Sequence, residues 1–146
     1  MSTVAITLQV LSAASLGVYA GAMLTEGFVL VPYWRSAPPA EFFSWYAAND
    51  RRLPGFFGPA TWAAGLLAIA AAVATLGAGL PGRWTALLAA VLLAVAAASF
   101  FVYFERANAS LSGRTVSVAE LPAELRRWAS WQRARTGLRL GALAAA

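Results

Sequence analysis

No cysteine and no histidine occur among the 146 residues. Inventory alone therefore excludes disulfides, thiolate zinc sites, imidazole-ligated haem or copper, and Ser-His or Cys-His nucleophile pairs. Lysine is missing too: all 11 basic residues are arginine, which with the abundance of alanine reads as a GC-rich coding bias more than a selected chemistry. Charge is sparse, at 12% of residues against 60% hydrophobic, and apolar runs of roughly twenty residues recur, the signature of one integral membrane domain. The arginines lie beside those runs and form no compact basic cluster with interleaved aromatics. Their partners are then membrane lipid headgroups and internal carboxylates, not nucleic acid.

The pattern predicts an all-α fold, a four-helix transmembrane bundle with spans over about 3–31, 56–79, 84–104 and 122–146. The first run carries a single charge, Glu26; it has no positive n-region and exceeds a signal peptide's h-region of roughly 7–15 residues, so it reads as a retained helix. The second follows Pro54-Gly55 and breaks at Gly79-Leu80-Pro81-Gly82, and the third ends in the polar cluster Glu105-Arg106-Ala107-Asn108. The fourth starts at Pro122, with Ser117 and Glu120 at capping-box spacing before it; its first half is charged and its remainder apolar. Between the first two spans, Phe42, Trp45, Tyr46, Asn49 and Leu53 fall at helical spacing, which predicts a short interfacial helix over about 39–53. Trp45 and Tyr46 there also suit an aromatic belt.

An even number of spans puts both longer connections on one face. They and the adjoining helix start carry Arg35, Arg51, Arg52, Arg106, Arg114, Arg126 and Arg127, against Arg83 alone on the other, so the positive-inside rule makes those loops cytoplasmic in a bacterial inner membrane.

An ionised group beside hydrocarbon costs several kcal/mol unless it is paired or wet, so Glu26 needs an explanation. On the first span Gln9, Ser12, Ser15, Tyr19, Ala22 and Glu26 recur by threes and fours and share a face. Small and polar residues on that face also suit plain helix packing. On the last helix Trp128, Gln132, Arg135 and Arg139 line up in the same way. A bundle would gather Glu26, Asn49, Arg52, Glu105, Asn108, Trp128, Gln132 and Arg135 at one depth below the interfacial helix, where a pocket is expected, with Arg52 or Arg135 neutralising Glu26. The simpler explanation is a buried ion pair that fixes helix register.

The run "GAMLTEGFVLVPYWRSAPPAEFFSWYAANDRR" followed by "FFGPATW", a third span ending "ERANASL" and a last helix "LRRWASWQRARTGL" resembles the anthrone oxygenase-like family of small four-span membrane proteins, over nearly the whole chain. Where this sequence has Gln132, members of that family often have histidine, which removes an imidazole base or ligand from any shared mechanism. The resemblance implies cofactor-independent oxygenation of an anthrone to its quinone, with a hydrophobic aromatic molecule and dioxygen as partners and no cofactor or metal. On that reading Glu26 is the base, Arg52 and Arg135 stabilise the developing oxyanion, Asn49, Asn108 and Gln132 orient phenolic oxygens, and Trp45 and Trp128 stack on the rings. Arg139, deepest of the basic residues, must pair, snorkel or line the site. Two other classes stay open. A small proton-coupled carrier or hydrophobic-ligand-binding protein would use the same carboxylate and work as a homo-oligomer; a non-catalytic assembly partner would use only the alanine- and glycine-rich packing of the middle spans.

Overall fold

The computed structural model describes residues 3–146, and these form an all-α chain of five continuous helices. They are α1 (Thr3–Ser36), α2 (Pro39–Asn49), α3 (Arg52–Gly77), α4 (Arg83–Ser112) and α5 (Leu121–Ala145). The first, third and fourth are long and apolar enough to cross a membrane, which marks a membrane protein. Their outward residues agree: Val18, Phe28, Trp62, Val73, Phe101 and Val102 are all exposed, an arrangement that water would penalise and lipid does not.

The four long helices each pack against two others, in the ring α1–α3–α4–α5. Close approach follows from what they bury. The inner face of α3 is Ala64, Ala68, Ala71, Ala72 and Thr75, so its backbone comes near α1 and α4. On α1 the buried residues Ala5, Ser12, Leu16, Tyr19, Met23 and Glu26, with Ala20 beside them, advance in steps of three, four or their sum, the seam of a left-handed pair. α5 repeats it with Leu121, Leu125, Trp128, Gln132, Thr136, Arg139 and Ala142 buried. Two glycines shape the connection from α3 to α4, Gly79 at φ 62° and Gly82 at φ 82°, a conformation that side-chain-bearing residues resist.

Two helices contain a π-helical turn, Glu26–Leu30 in α1 and Phe100–Phe104 in α4. Across each turn the buried positions step by five, from Glu26 to Val31 and from Ser99 to Phe104. An i→i+5 turn carries one extra residue, so the inward face stays inward beyond it.

Several boundaries differ from the sequence reading. α4 does not stop at Phe104: Glu105 and Arg106 point outward while Ala107 and Leu111 are buried, so the charged cluster is the exposed side of a continuing amphipathic helix. α1 likewise runs on to Ser36, its last turns carrying buried Val31 and Trp34. α2 ends at Asn49 rather than near 53, and α3 starts at Arg52 with Pro54 in its first turn, where the missing N–H lacks a helical partner anyway. The capping box forms before α5: Ser117 Oγ donates to Glu120 Oε2 at 2.6 Å and the Glu120 amide donates back to Ser117 Oγ at 3.3 Å.

Candidate functional site

The interior has two apolar clusters. One, at the end where α2 lies, is aromatic: Trp34, Phe42, Phe43, Tyr46, Phe104 and Trp128 with leucines from α4 and α5. The other is built from Leu16, Tyr19, Met23, Leu93 and four alanines. Polar groups of α1 and α5 meet between them.

Glu26 is 4% exposed, at the start of the π-helical turn of α1. Its Oε2 accepts a hydrogen bond from Gln132 Nε2 at 2.5 Å and faces Arg135 Nη2 at 3.6 Å. Arg135 Nε in turn donates to Gln132 Oε1, so the amide bridges the charged pair. Among the described residues no hydrogen bond is made to Oε1 of Glu26. The Arg135 guanidinium also lies 3.7 Å from the centre of the Phe104 ring, and 5.7 Å from that of Trp128. One turn deeper, Arg139 is 4% exposed; it donates to Met23 Sδ at 3.0 Å and sits 4.6 Å from the Tyr19 ring centre. Two enclosed cations therefore share a single carboxylate. Arg135 is tied to it directly, whereas Arg139 has a thioether and a π face, both weak acceptors.

Asn108 of α4 joins the layer above. Its Oδ1 accepts from Trp128 Nε1 at 3.0 Å and from the Tyr46 hydroxyl at 3.2 Å, pinning α2 and α5 to α4. Burial pushes the Tyr46 phenol well above the usual range, so it stays a donor. Trp34 fills the centre of this end, with its ring 5.2 Å from Trp128, and Trp128 is 5.3 Å from Phe104.

Of the residues expected at a site, Glu26, Gln132, Arg135 and Arg139 are brought into one cluster, and Asn108 and Trp128 into the adjoining one. Three are placed elsewhere. Arg52 is exposed at the start of α3 and pairs with no carboxylate among the described residues; Arg135 takes that position because it shares the inward face of α5 with Gln132. Asn49 spends its amide on the Trp45 carbonyl of its own helix, at 2.8 Å. Trp45 is half-buried against Trp34 and Tyr33, on the outer side of the aromatic cluster. The expected open pocket below α2 is filled by the rings of Trp34, Phe42, Tyr46, Phe104 and Trp128. Glu26 lines neither the small cleft beside Gln9 and Ser12 nor the one beside Trp34 and Arg126. Met23, Phe104 and Tyr46 complete the site, though apolar or aromatic residues beside a helix end read from sequence as core or belt. Met23 carried one usable signal, a position three residues before Glu26 on the same face.

Comparison with protein-family models, curated proteins and solved structures gives no match to this chain.

Proposed function

We propose that the chain is a four-helix bundle of the bacterial inner membrane, in which α5 enters the apolar layer as the fourth helix. Support comes from the outward residues of α5. Arg126, Arg127, Ser130 and Arg133 are exposed in its first half, while Ala134, Gly137 and Leu140 are exposed beyond them. The change from wet to apolar falls near Trp131, which stacks on Tyr103 at 5.2 Å in the manner of interfacial aromatics. Arg35, Arg51, Arg52, Arg106, Arg114, Arg126 and Arg127 then lie at the α2 end and favour cytoplasmic loops there.

Within that bundle we infer a small-molecule enzyme centred on Glu26, acting by cofactor-independent oxygenation of an anthrone-like aromatic. The observation that carries this reading is the composition of the buried cluster: one carboxylate and two guanidiniums, a surplus of positive charge that suits an anionic intermediate. Glu26 Oε1, the less engaged oxygen, takes a proton from the substrate's benzylic methylene. The resulting phenolate is held by Arg135, with Arg139 beneath, and reduces dioxygen. One oxygen atom becomes the new carbonyl and the other leaves as water with the two methylene hydrogens, which balances anthrone plus O2 against anthraquinone plus H2O. Trp34, Phe104 and Trp128 offer ring faces to a flat aromatic, and they must part to admit it. The position of both π-helical turns beside the cluster fits a functional site, where such turns concentrate.

The filled interior favours a second reading, in which Glu26, Gln132 and Arg135 lock α1 to α5 without chemistry. Dioxygen uptake by the detergent-purified protein with an anthrone and a chelator separates the two. Glu26→Gln is expected to lower uptake by about 10²- to 10⁴-fold while circular dichroism keeps its helical signal. Uptake unchanged in that variant removes Glu26 as the base, and a wild-type protein that consumes no oxygen leaves the lock.

A further inference from the structure

A cleft of about 210 Å³ opens at the α2 end, where α1 finishes and α2 and α5 begin, and no role is assigned to it. Its floor and sides are Trp34, Leu121 and Leu125, and Arg35 and Arg126 stand at its edge. A single water needs roughly 10–15 Å³ by the same measure, so the cleft admits a group of several heavy atoms.

The polar side chains in this wall are all donors. Arg35 and Arg126 are exposed, and among the described residues neither is in an ion pair; the lining contains no acidic residue. Trp34, which lines the cleft, has a buried indole N–H that finds no acceptor in the protein. Pro39 and Pro122, at the starts of α2 and α5, complete the lining without adding a charge. The side chains of the lining offer a cation no carboxylate, whereas an anion with several oxygen acceptors meets complementary charge. The apolar part of the wall asks for hydrocarbon on the same molecule, and about two turns below Arg35 on α1 the side chains of Phe28 and Val29 are exposed to receive acyl chains.

We propose that this cleft is a binding site for the phosphate of an anionic phospholipid, gripped between Arg35 and Arg126. It is a defined site and not a general attraction of the basic face for the membrane. Nothing in it depends on chemistry at Glu26.

The test is native mass spectrometry of the full chain released from nanodiscs holding equal phosphatidylglycerol and phosphatidylcholine. Wild-type protein is expected to keep one phosphatidylglycerol. The double variant Arg35→Gln/Arg126→Gln should retain it at least about tenfold less, and Arg51→Gln/Arg52→Gln, which removes equal charge from the same end, should retain it as wild type does. All four arginines are exposed, so the replacements leave the core intact. A parallel melting experiment adds inorganic phosphate to delipidated protein, with no stabilisation expected at the concentrations where the lipid acts. Equal loss from both double variants, no loss from either, or no preference over phosphatidylcholine overturns the site. Phosphate that stabilises as well as the lipid does overturns the assignment to a membrane ligand.

Discussion

The two ends of the bundle bury different things. At the α2 end, large rings from four helices interlock around Trp34, and Asn108 joins α2 and α5 to α4 by accepting from Tyr46 and Trp128. At the other end Ala64, Ala68 and Ala89 let backbones approach around Leu16, Tyr19, Met23 and Leu93. The first mode admits a guest only if rings rotate; the second, with backbones close together, leaves less room between the helices. Glu26 and its guanidiniums lie on the boundary, a polar layer between interlocked rings on one side and close helix contacts on the other.

That contrast can be broken most severely at the boundary itself. Arg135→Met leaves Glu26 enclosed without its direct partner and is expected to destabilise by about 3–5 kcal/mol, read as a fall in thermal unfolding in detergent. Adding Glu26→Leu to it should recover much of the loss; a double variant no more stable than the single one would show that the pair is not the source. Next, Phe104→Ala at the ring-filled end should cost about 3–5 kcal/mol by the same measurement, whereas Ala68→Leu at the other end should cost about 1–3 kcal/mol through overpacking between α1 and α3. An Ala68→Leu variant as stable as the wild type would remove the close helix approach from that end and with it the distinction. Asn108→Ala removes the acceptor shared by Trp128 and Tyr46 and should cost about 1–3 kcal/mol, with a change in tryptophan emission that reports the freed indole.

The smallest effect lies outside the bundle. Hydrogen bonds from the Ser117 hydroxyl and amide hold the Glu120 carboxyl below its usual range. A lowered folded value means that the box supports the start of α5 above the ordinary carboxylate pKa and fades as the pH falls through the lowered one. Ser117→Ala should flatten that slight acid-side loss in a melting series across pH.

Most of the helical plan was legible because apolar runs bounded by Pro54-Gly55 and Gly79-Leu80-Pro81-Gly82 leave little choice of element. The ends were less so. A charged pair such as Glu105-Arg106 halts a hydropathy count but not a helix that has one side to bury and one side wet. The polar cluster was half legible: the period of α1 and α5 puts Glu26, Gln132, Arg135 and Arg139 on facing seams, and spacing along a helix survives folding. Which arginine meets Glu26 depends on contacts between helices, and Arg52, a plausible partner by loop position alone, is turned outward at the head of α3. No periodicity in the sequence announces that the space under α2 is occupied by rings.

The five-residue steps in α1 and α4 also bear on how this chain can vary. Each is equivalent to one residue spliced into an otherwise regular rod, so excising one amino acid from Glu26–Leu30 would rewind the stretch and swing the remainder of α1 by about 100°. Trp34 would leave the centre of the ring cluster and Arg35 would turn from the cleft it lines. Length at those two places is therefore as constrained as residue identity, and single-residue gaps there should be read as changes of architecture, not as neutral drift.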